Sequence, residues 1–518
     1  MTREEFLKLL VGGSLSRPLV ARGPRTKDGP RTQDGPRTQD GPRPEAQGPR
    51  TAFPAGTTAA VVDFIARISI GDIPDKVIIE AKRCLIDGFG VVVAGATVRG
   101  SAIVRDYIQA GGAKGSEATV LGPERVSARA AQAALANAAS GHAMDYDDTQ
   151  LSTTPDRVFG LLTHPTVPAL SASLAVGERR GVSGRTFLEA FLTGFEVECK
   201  IAEAINPDHY QRGFHSTGTL GTFAAAASAA KLLRLTPVQT AHALGIAASM
   251  SSGIRVNFGS MTKPLHAGRA AENGVTAAEL ASRGFTAGDE ALDGEWGFFQ
   301  VLGGGADLPR IIGTLGKPYS IVDPGVSVKP YPCGSLGHPT MDAMLKLVTD
   351  HDVKPEQIAR VRVRAGSNIL NPLRYKTAKT ELEAKFCLPF MMASIALRRR
   401  AGIREFTDEF VASAPVQSMM ARVQTVFDPD IEARGFDKMR SVVEVDLVNG
   451  RTLTQPSDER YRGGPERPFT RAELHEKFTD CASLVLAQDQ IRHALELIES
   501  VERVGNIREL AQAMIPLG

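Results

Sequence analysis

The sequence predicts a mainly α-helical protein in which a long helical block is interrupted by an α+β unit and then resumed. Apolar and small residues recur at three- and four-residue intervals over much of the chain, the spacing of buried helix faces. Aromatic residues make up only 6% of the 518 residues while glycines number 51, a composition suited to helices packed through small side chains rather than to a β-sandwich. Strand-period alternation is late and brief, in "RVRVRA" (Arg360 to Ala365) and "SVVEVDLVNGRTLTQ" (Ser441 to Gln455).

Taken in order, residues 1–56 read as a disordered tail, because 23 to 52 repeat a GPRTxD hexamer whose Pro and Gly break helices and which has almost nothing apolar to bury. From Thr57 the stretches "AAVVDFIARI", "DKVIIEAKRCLIDGFGVVVAG" and "RAAQAALANAASGHAMD" take helical spacing, and 57–324 is expected to be the first helical part. Within it the Ala-rich run from Gly218 to Leu235 is followed by Thr236 as N-cap and Pro237 at the first helical position. Residues 325–455 form the expected α+β unit, with Asn449-Gly450 as a hairpin turn and "ELEAKFCLPFMMASIALRRR" as helix between the strands. Residues 456–518 return to helix behind a Thr470-x-x-Glu473 capping box.

Charge narrows the partners. Sixty basic residues against 58 acidic ones leave a formal net charge of +2, so neither nucleic acid nor a membrane surface is expected as a partner, and an anionic ligand must be held locally. No apolar run approaches the roughly 20 residues that span a bilayer. The five cysteines are scattered, without a C-x-x-C pair, which fits a reducing, cytoplasmic location.

The acidic cluster "MDYDDTQ" (Met144 to Gln150) first suggests a hard cation, because Asp145, Asp147 and Asp148 offer several oxygens close together. The rest of such a site is absent from the sequence: there is no EF-hand glycine or terminal glutamate, no H-E-x-x-H and no cysteine pair, and no metal is expected. The plainer reading is that these carboxylates cap helices and face water. Cysteine spacing offers nothing for an iron–sulfur cluster, and Cys333 in "YPCG" has no histidine that sequence places beside it. "GTLGT" and "LGGGAD" lack the G-K-[ST] ending of a phosphate loop and read as turns at helix starts. His164 in "LLTHPTVPAL", His215 in "RGFHSTGTLG", and Lys263 and His266 in "GSMTKPLHAG" each stand among turn-forming residues at an apparent helix boundary, where a side chain can project into a cleft.

The blocks "GHAMDYDDT", "THPTVPALSASLAVGE", "GFHSTGTLGTFAAAASAAKLLRLTPVQTAHALGIAAS" and "GSMTKPLHAGRAAENGVTAAELASRGFTA" resemble successive signature blocks of the MmgE/PrpD family of 2-methylcitrate dehydratases and cis-aconitate decarboxylases. "VKPYPCGSLGHPTMDA" and "EAKFCLPFMMASIAL" resemble two later ones, so the likeness runs in order from about Thr57 to the C-terminus. It implies a large all-helical domain built from both ends of the chain plus a smaller inserted α+β lid domain. It also implies a homodimer acting on a small polycarboxylate in the cleft between them, without metal or organic cofactor.

Carried over by position, the resemblance assigns catalytic roles to Asp145, His164, His215 and Lys263, and substrate-binding roles to Thr149 and Lys329; His266, at the helix boundary beside Lys263, is added to the expected substrate-binding residues. Asp147 and Asp148 are left as capping or packing groups that fix the turn. Tyr375 is near, but not in register with, a further tyrosine of the decarboxylases. Two departures stand out: the segment from Gln150 to Leu162 is longer than in the decarboxylases, and Gly334 replaces a histidine found in some of them.

Such a set suits proton transfer beside a carboxylate. Lysines 263 and 329 neutralise substrate carboxylates and the negative charge that spreads onto one, with Arg255 assisting. A histidine gives or takes the proton, and Asp145 orients an imidazole or acts as base if desolvation raises its pKa. The reading is a cofactor-independent lyase on a di- or tricarboxylate, dehydration of the 2-methylcitrate type first. Decarboxylation of the cis-aconitate type is the runner-up, and epimerisation or isomerisation of a related diacid is third. The rivals from other classes are a non-catalytic polycarboxylate-binding protein and a metal-dependent helical synthase.

Overall fold

Helix Thr262–Ser282 packs against two others, Ser216–Leu233 and Ala130–Gly141, and all three are built largely from alanine, glycine and threonine. Small residues let the backbones approach: a Cβ on Gly274 would stand 2.5 Å from the Cβ of Ala225, and one on Gly268 would stand 2.7 Å from the carbonyl of Leu135. Dispersion contacts at that range replace the large side chains this composition lacks. The protein is described by a computed structural model covering residues 56–111, 117–152, 154 and 162–517. The GPRTxD repeat and most of the long segment after Gln150 lie outside the described residues.

Around this centre, helices Thr166–Arg180 and Gly184–Ile205 pack on Ser216–Leu233, and Arg471–Ala482 from the end of the chain lies along Asp75–Gly95 from its beginning. The capping signals hold: Thr236 with Gln239, and Thr470 with Glu473, close reciprocal capping boxes. The described residues are mainly helical, as expected. One small β element was not anticipated, the antiparallel ribbon Ala118–Val120 with Val126–Ala128, whose three-residue strands are too short to show alternation.

A separate apolar cluster draws on residues from Tyr331 to Tyr461, with Leu151 as its contribution from the helical part. Its sheet has the order Val423–Phe427, Ile358–Ala365, Ser441–Leu447, Thr452–Pro456, with the first pair parallel and the others antiparallel. Val361, Val363, Val443 and Val445 are buried on one face, where helices His338–Asp350 and Leu388–Arg398 pack. Gly450 takes φ +84° in the turn between the last two strands, as the Asn-Gly pair predicts.

The stretch expected as one helix around Phe386 is broken into Glu381–Ala384 and Leu388–Arg398, with Pro389 in the first turn of the second. A proline lacks the N–H for an upstream carbonyl and disfavours α geometry before it, so a new helix starts there. The break turns Lys385 onto the carbonyl of Ala143 (3.1 Å) and brings Phe386 to the wall of the cavity described next.

Candidate active site

Helix Ala130–Gly141 ends at Gly141, and the chain then turns sharply enough that Asp145 adopts φ 52°, a left-handed conformation that aspartate tolerates better than most residues. The turn aims Asp145 into a cavity that is also lined by Thr149, His164, His215, Lys263 and Lys329. Lys263 enters from the first turn of helix Thr262–Ser282. Lys329 enters from a strand-like segment secured when Thr149 and Ser327 exchange both backbone hydrogen bonds at 2.9 Å.

Both lysines converge on one oxygen: Lys263 Nζ lies 2.8 Å and Lys329 Nζ 2.6 Å from Asp145 Oδ1, and Lys329 also donates to the Asp145 carbonyl at 2.9 Å. Burial alone would raise the Asp145 pKa, but the two ammonium charges overcome it and hold the carboxyl well below its usual range. Asp145 is therefore an ionised counter-charge. The expectation that desolvation turns it into a base is corrected by the presence of two cations on the same oxygen. One carboxylate between two ammonium groups leaves the corner net positive, suited to a second, incoming carboxylate.

Behind this corner Lys477, from helix Arg471–Ala482, donates to the carbonyls of Tyr146 (2.8 Å) and Lys329 (3.0 Å) and pairs with buried Asp87 at 2.6 Å. The neighbours of both charged partners are thus pinned by the end of the chain. No sequence pattern singled out this lysine.

The histidines form a second wall. His164 Nδ1 lies 2.8 Å from the Asp148 carbonyl, which can only accept, so Nδ1 carries the proton and Nε2 is an acceptor without a hydrogen bond among the described residues. Thr149 Oγ1 stands 3.2 Å from the same nitrogen. His215 is buried, and its Nδ1 meets His266 Nδ1 at 3.0 Å while its Nε2 has no partner among the described residues. Burial, with the nearby positive charges, holds His164 and His215 well below the ordinary imidazole value, so both are neutral at pH 7. His266 is not among the residues lining the cavity; it stands behind His215.

Sequence reasoning missed His142. Its Nδ1 is gripped by Asp147 (2.8 and 3.0 Å to the two carboxylate oxygens), and its ring lies 4.7 Å from that of His164 and 5.3 Å from that of His215. Asp147 is thus the orienting partner of a histidine. Asp148 caps a helix start, accepting from the Thr166 hydroxyl (2.6 Å). His142, Asp147 and His164 bring donor atoms within 4.8 Å of one another, a spacing compatible with a cation.

The opposite wall is apolar: Phe258, Leu336, Pro372, Leu373 and Phe386. Ser216 and Ser335 also line the cavity, and the buried Ser216 hydroxyl has no partner among the described residues. Arg255 does not line it; the guanidinium lies 3.7 Å over the ring of Tyr210, which does, and donates to the Tyr210 carbonyl at 2.9 Å. Tyr375 is likewise outside the lining. Cys333 does have a histidine beside it, His338 Nε2 at 3.4 Å, but burial pushes the thiol well up and keeps it protonated. The sequence could not show this pair because a tight turn folds His338 back onto Cys333.

Comparison with known proteins agrees in extent with this arrangement. The MmgE/PrpD N-terminal domain matches residues 59–311 and the MmgE/PrpD C-terminal domain matches residues 331–503. The chain is similar to the cis-aconitate decarboxylase of Homo sapiens, 26% identical over 456 residues that cover 86% of this chain and 92% of that one. It is 27% identical over 459 residues to that of Mus musculus (86% and 90%). With that of Aspergillus terreus (strain NIH 2624 / FGSC A1156) it shares 24% identity over 489 residues (89% and 96%).

Proposed function

The chain belongs to the MmgE/PrpD family, and from that premise we propose that it is a cofactor-independent lyase acting on a small di- or tricarboxylate in the cavity around Asp145. The observation that carries the reading is the pairing of a net-positive corner, Lys263 and Lys329 on Asp145, with two neutral histidines in one buried cavity. Cations fix carboxylates, and neutral imidazoles exchange protons with carbon next to them. The α+β part is proposed to act as a lid, since it supplies Ser335, Leu336, Leu373 and Phe386 to the cavity. A homodimer and a cytoplasmic location belong to the same proposal. Among the described residues no helix is long and apolar enough to cross a membrane.

Of the reactions open to such a site, loss of carbon dioxide from a cis-aconitate-like substrate is favoured. The similar proteins named above are cis-aconitate decarboxylases, and the wall of Phe258, Leu336, Leu373 and Phe386 is the apolar surface against which a carboxylate sheds its charge as it leaves. The electron pair of the breaking C–C bond spreads toward a neighbouring carboxylate held by the lysines, and His215 Nε2 delivers a proton to carbon. Dehydration of a 2-methylcitrate-like hydroxy acid is the second reading. It needs a base and an acid together, and His164, with Nε2 as an acceptor without a hydrogen bond among the described residues, supplies the base.

Proton NMR in deuterated water separates the two. Incubated with cis-aconitate, the enzyme is expected to give a decarboxylated product carrying one solvent deuterium on carbon. Water loss from 2-methylcitrate without loss of carbon dioxide would instead establish the dehydratase. Turnover of neither, nor of other di- and tricarboxylates, overturns the lyase reading.

A further inference from the structure

His215 is sealed in the cavity wall, yet the atom behind it is not another structural acceptor but a second imidazole. Nδ1 of His215 and Nδ1 of His266 are 3.0 Å apart, and two neutral imidazoles at that distance must share a single proton between them. His215 Nε2 is buried without a partner among the described residues and belongs to a residue that lines the cavity. His266 is only partly buried; its Nε2 makes no hydrogen bond within the described residues and is not among the atoms closed off from solvent. The pair therefore joins a residue of the cavity wall to one that is only partly buried.

The surroundings are shaped for the pair. His266 passes between two glycines: a Cβ on Gly218 would stand 2.9 Å from the Cβ of His266, and one on Gly253 would stand 3.2 Å from Cγ of its ring. The same Gly253 accepts the backbone N–H of His215 at 3.0 Å, so both rings are referenced to one turn of backbone.

From this geometry we propose that His266 is the outer half of a two-histidine proton wire that loads and unloads His215 during the reaction; the proposal rests on the lyase reading above. A neutral imidazole that simply gives up its only N–H becomes an imidazolate, which is prohibitively costly at neutral pH. It acts as an acid only if its other nitrogen gains a proton in the same event. His266 is the group on that nitrogen.

The balance is complete. The His215 Nε2–H bond breaks as the new C–H bond forms on the electron pair left by the departing group. The proton on His266 Nδ1 moves to His215 Nδ1, and water gives one proton to His266 Nε2. Both rings end neutral, each with its tautomer exchanged. On product release the opened cavity returns a proton from water to His215 Nε2, the Nδ1 proton of His215 moves back to His266 Nδ1, and His266 Nε2 yields its proton to solvent, restoring the start. Run backwards, the same wire lets His215 take a proton from carbon. His266 acts through His215 and is a positioning residue in contact with protons, not with substrate.

Three variants and one spectrum test this. His266→Ala, assayed on cis-aconitate, is expected to lower kcat on the order of 10²-fold with KM little changed, and imidazole added to the buffer is expected to restore part of the loss. His266→Asn keeps a hydrogen-bonding atom near Nδ1 but cannot pass a proton on, and is expected to stay as slow as the alanine variant. Recovery of wild-type kcat by His266→Asn, or by the non-bonding His266→Phe, would overturn the wire and leave a packing role. A nitrogen-15 histidine spectrum of the wild-type protein, with no substrate present, is expected to show one of the two Nδ1 atoms protonated and the other not. Two unprotonated Nδ1 atoms would also overturn it. If the wild-type protein turns over no polycarboxylate, the lyase reading fails while the spectrum still decides whether the pair shares a proton.

Discussion

Thr149 and Gln150 are neighbours in the chain, and they face two different clusters of buried charge. Thr149 lines the cavity with Asp145, Lys263 and Lys329, whereas the Gln150 amide donates to Glu203 at 2.8 Å on helix Gly184–Ile205. In that second cluster Glu196 accepts the backbone N–H groups of Gly316 (2.8 Å) and Ser320 (2.7 Å). Glu203 also accepts from the Ser320 hydroxyl (2.7 Å), and Lys200 lies between, 3.4 Å from Glu203. Its glutamate oxygens are spent on tying loops to the helix. In the cavity Asp145 Oδ2, His215 Nε2 and the Ser216 hydroxyl have no protein partner among the described residues. Burial and charge are alike in the two places; the difference is that the carboxylate oxygens of the strut are spent and the Gln150 amide oxygen is what it leaves without a partner among the described residues, whereas the cavity leaves a carboxylate oxygen and an imidazole nitrogen open.

The sharpest way to break that contrast is to damage the strut. Glu203→Ala leaves Lys200 and Gln150 buried and short of a partner, and removing one member of a buried pair costs about 3–5 kcal/mol. Urea unfolding is expected to show that loss, while the fraction that remains folded keeps kcat within a few-fold of wild type. A variant that stayed stable but lost catalysis would put Glu203 in the site instead.

Damage to the cavity should do the reverse. Lys329→Met removes one of the two cations on Asp145 and the one nearer the backbone of that residue. Turnover of cis-aconitate is expected to fall on the order of 10²–10³-fold, the scale for losing one preorganised charge. The melting temperature is expected to change less than in Glu203→Ala, because Lys263 still pairs with Asp145. Comparable losses in both stability and turnover would mean that the corner is as structural as the glutamate cluster.

How much of this could be read from residues alone follows the range of the forces involved. Strand alternation in "RVRVRA", the Asn449-Gly450 turn and the two capping boxes are local patterns, and each is found where it was expected. The helical core was legible because alanine and glycine at three- and four-residue spacing have few other uses. What stayed hidden depends on turns that reverse the chain. Asp147 reaches His142 only because Asp145 takes a left-handed backbone, His338 meets Cys333 across a tight turn, and Lys477 arrives from 331 residues beyond Tyr146. His266 stood four positions from a helix start beside Lys263, which gave no hint that it would lie behind His215 rather than in the cavity. Three equivalent carboxylates in "MDYDDTQ" became a counter-charge, a histidine holder and a helix cap, a division that spacing alone leaves open.

That third carboxylate offers the smallest and cleanest test. Burial, reinforced by the charge of Asp87, pushes Asp148 up to about 7, with the Thr166 hydrogen bonds opposing. A carboxyl whose folded pKa lies above its unfolded value of 3.8 binds its proton more tightly when folded. Its contribution to stability is therefore complete below about pH 3.8 and is lost as the pH rises through 7. Asparagine at this position cannot ionise but still accepts one hydrogen bond from Thr166. Asp148→Asn is thus expected to flatten the fall in melting temperature between pH 5 and pH 8 by about 2 °C or more relative to wild type. Comparing the two proteins at each pH cancels the histidines, which titrate in both. An unchanged slope would mean that Asp148 is ionised in the folded protein, and that this cap belongs with the charged corner of the cavity rather than with the struts around it.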